Sequence, residues 1–322
     1  MPKPQHIVGH ASILSELVRD LQIGNVSHAY LLSGVRHLGK MSIARWFAKE
    51  LLCADLPEDE REQAEKRIEK LTHPDLLILD QLWIEGVCDD WKVIARTSNI
   101  SQDHRAKKPA AKTDVISIDD IRTLQDRLYE TAIGRYKCCI IRSVERMKAE
   151  AANAFLKILE EPPPGLVFLL TTQSLSTLLP TVVSRARILR FRRLPHRDLL
   201  PLLEGVSDDD RQFILRIAQG APGIVRTFRD DPESLLLRRQ VHAKAISFWR
   251  TPSLRGRMLL LQPLQKRGDE ADLFLLHLAL ALREQAVATG RVAAFHRLAS
   301  GLATNAHRGL LLQQFALTVD TK

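Results

Sequence analysis

The chain is poor in cysteine. Four cysteines among 322 residues make no disulfide framework, which points to an intracellular, reducing setting. It has no run of about 18 or more apolar residues, which excludes a membrane-spanning helix. Its first residues, Met1-Pro2-Lys3-Pro4-Gln5-His6, lack the apolar core of a secretory signal, so a cytoplasmic location is expected. What is present is ordinary globular composition, 45% hydrophobic and 26% charged. At roughly 100–200 residues per domain, the length suggests two or three domains. Basic residues are in excess: 47 Lys and Arg against 38 Asp and Glu give +9 at pH 7. That balance is compatible with nucleic-acid contact and equally with an arginine-rich soluble surface.

The first half alternates short apolar runs with helical periodicity. Strands are expected at Ala29–Gly34, Asp75–Asp80, Lys137–Ile141, Gly165–Thr172 and Arg187–Phe191. Between them, Ser42–Leu52, Asp119–Tyr129 and Ala149–Glu160 carry apolar residues at helical spacing, the last closed by Pro162-Pro163-Pro164. Near-continuous apolar strands alternating with helices predict an α/β domain with a parallel sheet buried on both faces. From Pro195 onward the pattern is helical, with a broad apolar stripe over Asp272–Val287. Two segments interrupt the first domain. Leu56–Lys70 is highly charged and reads as a solvated helix or loop. Residues 88–113 lack periodicity and include the basic run Arg105-Ala106-Lys107-Lys108. This reads as a flexible basic insertion, a solvated loop or a nucleic-acid tether.

Gly34-Val35-Arg36-His37-Leu38-Gly39-Lys40-Met41-Ser42 follows a strand and opens a helix. Gly34, Gly39 and Lys40 fit the G-x-x-x-x-G-K spacing of a phosphate loop, in which backbone N–H groups at a helix N-terminus cradle phosphates and the lysine neutralises them. The next position calls for a Ser or Thr hydroxyl to hold Mg²⁺. Here it is Met41, a thioether and a poor ligand for a hard cation. Ser42 lies one position late, about 100° around the helix. The tip of the third strand lacks the aspartate that would hold the metal; Arg142, Ser143, Val144 and Glu145 stand there instead. Two losses from one metal site predict a degenerate loop, with no cofactor required, weak Mg-independent nucleotide binding at most, and no ATP hydrolysis by the chain itself.

The run Ala151-Ala152-Asn153-Ala154-Phe155-Leu156-Lys157-Ile158-Leu159-Glu160-Glu161-Pro162-Pro163, the triplet Ser184-Arg185-Ala186 and the strand His28–Gly34 together resemble the AAA+ clamp-loader family of bacterial DNA polymerase III, nearest its delta-prime class. The resemblance covers roughly residues 5–230. It implies a pentameric ring that opens a sliding clamp and loads it on primer–template DNA. The motor subunits of that ring hydrolyse ATP at their interfaces, while delta-prime serves as a rigid, non-hydrolysing end subunit. By this resemblance the chain is not an enzyme on its own. Its partners are the ATPase motor subunits, delta, the sliding clamp and DNA, with no membrane. The triplet at 184–186 matches a serine-arginine-cysteine motif that places an arginine in a neighbour's ATP site, so Arg185, with Ser184, is the candidate trans-acting finger. A guanidinium stays protonated and forks onto phosphate oxygens, which suits the role; a surface or salt-bridged arginine is the plain alternative. Ala186 departs from the motif's cysteine. Val8-Gly9-His10 resembles the segment beside the adenine pocket, Thr171 and Thr172 the γ-phosphate sensor, and Gly223–Arg226 the second-domain sensor; each also reads as a turn, strand end or cap. Members of the family often carry four zinc-binding cysteines after the first helix. Here Cys53 has no C-x-x-C partner, Cys88 is alone, and Cys138-Cys139 fall within a strand and point to opposite faces. No zinc or other metal is expected.

The expected organisation is an AAA+ phosphate-loop domain over 1–193, a small helical lid over 194–233 and an all-α collar over 234–322. Met258-Leu259-Leu260-Leu261 and Leu310-Leu311-Leu312 are hard to hide in one small bundle, so the collar is expected to pack against its neighbours, the alternative being a tight monomeric bundle. Two other functions stay open: an active AAA+ motor subunit of the same complex, and a stand-alone basic DNA-binding protein.

Overall fold

A computed structural model of the chain describes residues 7–83, 91–106, 114–284 and 289–319. Two compact units result, Met1–Glu204 with Ala218–Val225, and Gly205–Ile217 with Arg226–Lys322. In chain order the first holds α1 (Ala11–Gln22), β1 (Ala29–Ser33), α2 (Lys40–Leu52), α3 (Glu58–Glu69), β2 (Leu76–Leu79), α4 (Trp91–Ala95), α5 (Asp103–Ala106), α6 (Ile118–Leu128), β3 (Lys137–Ile141), α7 (Ala149–Glu160), β4 (Leu166–Thr172), α8 (Pro180–Ser184), β5 (Arg187–Arg190) and α9 (His196–Leu199). The five strands are all parallel, in the order β2-β3-β4-β1-β5. Each expected strand is present to within two residues.

Alternation of side chains explains the apolar runs. Tyr30, Leu32, Ile78, Cys138, Ile140, Val167 and Leu169 enter a core shared with α1, α2 and α3. Ala29, Leu31, Leu77, Leu79, Cys139, Ile141, Phe168 and Leu170 enter a second core with α6 and α7. The period of two splits each of these strands between two cores, so consecutive positions in their middles are apolar. Cys138 and Cys139 do face opposite ways. On the second face, Phe155 of α7 meets Phe168 of β4 edge to face at 5.1 Å.

Two regions differ from the expectation. Helix α1 has no counterpart in the expected elements: it follows two left-handed residues, Gly9 and His10, and has no side-chain cap. The insertion is ordered in its described part, and 88–90 and 107–113, with Cys88, Lys107 and Lys108, lie outside the described residues. β2 is an edge strand whose outer peptide groups need partners, and the insertion supplies them. Asn99 Oδ1 accepts from Ile78 N (2.8 Å), and Ser98 Oγ donates to Ile78 O (2.9 Å). Helix α5 is tied down by the wholly buried Asp120, which accepts from Arg105 Nη2 at 2.6 Å and pairs with His104 Nε2 at 3.0 Å.

The second unit is helical. It includes α12 (Pro232–Arg250), α13 (Leu254–Leu260), α14 (Asp269–Glu284), α15 (Thr289–Leu302) and α16 (Arg308–Thr318), and α10 (Asp208–Ala218) and α11 (Pro222–Asp230) run through both units. Its core gathers Phe248, Trp249, Phe274, Leu278, Leu312 and Phe315. Leu261 and Leu312 are buried there, while Leu259 and Leu310 are exposed. No described helix is long and apolar enough to cross a membrane.

Candidate functional site

The sheet order places β1 between β4 and β5. The chain leaves β1 for the far strand β2, and leaves β4 in the opposite sense for β5. Loops that diverge in this way open a crevice at the carboxyl ends of the strands, where α/β folds bind ligands. The segment 34–39 lies there. Gly34 N donates to Thr172 O at 3.1 Å, and a Cβ on Gly34 would lie 2.7 Å from Phe191 O, so only glycine fits. Gly39, at φ 87°, caps α2, whose first turn holds no acidic side chain to quench its positive end. Lys40 Nζ donates to Gly34 O and Val35 O at 2.5 and 2.7 Å. Burial first, with Arg142 and Arg36 adding to it against the pull of Glu145, lowers the Lys40 pKa to about 8. Gly34, Gly39 and Lys40 are thus brought together as the spacing predicts.

The neighbouring segments also converge. His10 Nε2 lies 3.0 Å from Leu38 O, and its ring is 4.6 Å from that of Phe191. Gly223 N donates to His37 O at 2.9 Å. His37 has its pKa lowered by burial and then by the charges of Arg36, Arg142 and Lys40. Thr171 Oγ1 accepts from Ser143 N at 2.9 Å and Thr172 Oγ1 donates to Ser174 O at 3.0 Å. Both sensor-position hydroxyls are therefore engaged inside the fold.

The positions that would hold Mg²⁺ do not fit it. Met41 packs its thioether against the first core. Arg142, at the tip of β3, donates from Nη1 to Asp80 Oδ1 at 2.8 Å. Asp80 is a buried carboxylate at the tip of the adjacent β2, and Arg45 Nη2 of α2 lies 3.9 Å from its other oxygen. The carboxylate is committed to guanidinium groups rather than open to a hard cation. Glu145 Oε1 accepts from Gln173 N and Nε2, and its Oε2 is buried without a partner. Asp80 is a site residue the sequence did not reveal, because it ends a different strand from Arg142. Among the described residues, no three His, Cys, Asp or Glu gather as a metal site.

Arg185 stands apart from this loop in the chain's own hydrogen-bond network. It caps α8, which Pro180 opens and Val182 anchors in the second core. Its Nη2 lies 2.8 Å from Glu160 Oε1 and its Nη1 donates to Thr181 O at 3.1 Å. The side chain remains 35% exposed. Ser184 Oγ also donates to Thr181 O, and Ala186 packs against the second core. Glu160 ends α7, where the helix dipole disfavours a carboxylate; Arg185 compensates it. The two sequence motifs therefore meet in one ion pair.

Fold and loop together define an α/β phosphate-loop protein of the AAA+ class. Comparison with known proteins narrows the class. The family model described as "DNA polymerase III, delta subunit" matches residues 9–195, more than half of the chain. The chain belongs to that family. It is 32% identical over 228 residues to DNA polymerase III subunit gamma/tau of Mycobacterium tuberculosis (strain ATCC 25618 / H37Rv), covering 67% of this chain and 34% of the relative. It is 31% identical over 224 residues to DNA polymerase III subunit tau of Escherichia coli (strain K12), covering 67% and 30%. The chain thus spans about a third of the length of these curated relatives. A DNA polymerase III gamma subunit-related protein from Thermotoga maritima shares its fold, with TM-score 0.53 at 21% identity over 94% of this chain and 98% of that one.

These relatives carry the names of gamma and tau subunits, not of delta-prime. The expectation that the chain is no enzyme, with an inactive ATP site of its own, rested on the two metal-site losses and on the delta-prime resemblance, and kinship to gamma and tau subunits overturns it. The physical reason is plain in the site. Met41 and Arg142 remove ligands for a metal, but Gly34, Gly39, Lys40 and the helix N-terminus, the groups a phosphate loop uses, are all in place.

Proposed function

We propose that the chain is a subunit of a DNA polymerase III clamp loader and helps place a sliding clamp on primed DNA. In this reading Arg185, positioned by Ser184 and α8, reaches the ATP site of a neighbouring motor subunit. Residues 194–233 form a lid and 234–322 a collar, and the delta subunit, the clamp and DNA complete the assembly in the cytoplasm. The observation that carries the reading is the setting of Arg185: a partly exposed guanidinium at a helix end, held by one ion pair with Glu160 at 2.8 Å. A partner's phosphate competes well for such a group, since a guanidinium forks onto phosphate oxygens and stabilises developing charge. The test is a reconstituted complex carrying Arg185→Ala. Its DNA- and clamp-stimulated ATP turnover should fall while this chain stays folded; a normal rate removes the assignment.

Kinship to gamma and tau subunits favours a second reading, in which the chain also turns over ATP at its own loop. Turnover by the purified chain that Lys40→Ala abolishes would establish it.

A further inference from the structure

The loop that carries the phosphate-binding spacing lacks both of its metal-holding groups, yet it is not short of positive charge. Arg36, Lys40 and Arg142 all lie near enough to His37 to help lower its pKa, after burial. Arg142 and Arg36 likewise lower that of Lys40. Glu145 is the carboxylate that acts on Lys40 in the other direction, and one of its oxygens is already taken by Gln173. Like charges gathered at the positive end of a helix are costly unless an anion joins them.

Arg142 is also fixed in place. Its backbone N donates to Leu79 O at 3.0 Å, and its guanidinium is held by Asp80 at 2.8 Å. Asp80 in turn is buried and takes Arg146 Nη2 on its backbone oxygen at 2.9 Å. With 52% of its side chain exposed, Arg142 keeps donors free for a ligand. The architecture parallels a metal site, with a strand-end carboxylate holding a cation beside the lysine, but the cation is covalently part of the protein. A guanidinium cannot be chelated away and stays charged at any ordinary pH.

We propose that Arg142, oriented by Asp80, takes the place of the divalent cation at this loop, so that Gly34–Lys40 holds a nucleoside polyphosphate without Mg²⁺. Arg142 here is a binding residue, and the proposal says nothing of turnover. It is independent of the role of Arg185, which concerns a neighbour's site.

The experiment titrates the full chain with ATP, and separately with inorganic tripolyphosphate, by calorimetry in EDTA and in excess Mg²⁺. ATP should bind in EDTA at least as tightly as in Mg²⁺. Tripolyphosphate should bind more weakly than ATP, which assigns the ligand as a nucleotide; equal binding would reassign it as free polyphosphate with Arg142 still in its role. Arg142→Ala should weaken binding in EDTA by about tenfold or more, the scale of one charge-assisted hydrogen bond. Arg142→Lys, which keeps the charge and loses the fork, should fall between. Circular dichroism checks that both variants fold. Binding that requires Mg²⁺, binding that Arg142→Ala leaves unchanged in a folded protein, or no binding in either condition would each overturn the proposal. None of these would touch the Arg185 assignment, which is read in the turnover of the assembled complex.

Discussion

Replacing Asp120 by alanine should destabilise the first unit more than any surface change. Asp120 is wholly buried. Its carboxylate accepts Arg105 Nε and Nη2 at 3.1 and 2.6 Å, Ser117 N at 2.7 Å and Ser117 Oγ at 2.8 Å, and pairs with His104 Nε2 at 3.0 Å. It therefore does two jobs: it closes the capping box of α6 and neutralises a guanidinium whose side chain is only 14% exposed. Removing one partner of a buried pair costs about 3–5 kcal/mol, because the other charge is left in a poor medium. Loss of the cap adds about 1 kcal/mol. Arg105 keeps its bond to Val115 O at 2.8 Å and can swing partly into water, so the low end applies and the sum is about 4 kcal/mol. That is a large share of the roughly 5–15 kcal/mol that holds a domain folded. Urea unfolding followed by far-UV circular dichroism reads it directly. Asp120→Asn, which keeps some hydrogen bonds, should lose about half as much. A shift below about 0.5 kcal/mol for Asp120→Ala would show that α5 and the insertion are not anchored through this carboxylate, and the reasoning would fail.

Three further outcomes follow from the same structure. His277 is buried, and burial, with the charges of His242 and Arg238, lowers its pKa from 6.5 to about 4. The unfolded chain then takes up a proton before the folded one, so this contribution to stability is whole above about pH 6.5 and is lost as pH falls toward 4. The loss is about 3 kcal/mol; His277→Gln should flatten that slope in urea midpoints measured across the range, and an unchanged slope would contradict the account. Gly34→Ala should cost about 1–3 kcal/mol in thermal melts, because its new Cβ would meet Phe191 O at 2.7 Å and Phe191 Cβ at 2.9 Å; an unshifted melt would mean the loop gives way freely. Nucleotide affinity should respond to Arg142 and not to removal of Mg²⁺, as set out above.

Much of the architecture was legible because its signals are local. Leu76–Leu79 and residues 166–170 are apolar and buried at every position, the pattern of strands covered on both faces. The G-x-x-x-x-G-K spacing put Gly34, Gly39 and Lys40 in one turn. What stayed hidden was pairing across distance. Asp80 meets Arg142 from another strand, 62 residues earlier, and no periodicity links them. Asp120 meets Arg105 from the far side of the basic run, so the insertion read as loose although its described part is pinned at α5 and at Asn99. Helix α1 starts without a capping side chain and carried no start signal. Arg185 and Glu160 were each visible within a motif, but that the motifs join in one ion pair required the fold. The metal-site losses were legible as residue types; what they mean for the chain's own activity was not, since relatives at 31–32% identity carry the names of gamma and tau subunits.

The central claim is that Arg185 acts on a neighbour. Within its own chain its side chain makes one partly exposed ion pair and one hydrogen bond to a backbone oxygen, together worth about 1 kcal/mol. An arginine that stabilises a phosphoryl-transfer transition state is worth about 10³–10⁵ in rate. The decisive measurement is single-turnover ATP hydrolysis by the reconstituted, clamp- and DNA-bound complex, with wild-type chain and with Arg185→Ala. The account predicts a fall of about a thousandfold beside a melting temperature lowered by only a few degrees. An unchanged rate with the same small loss of stability would contradict it.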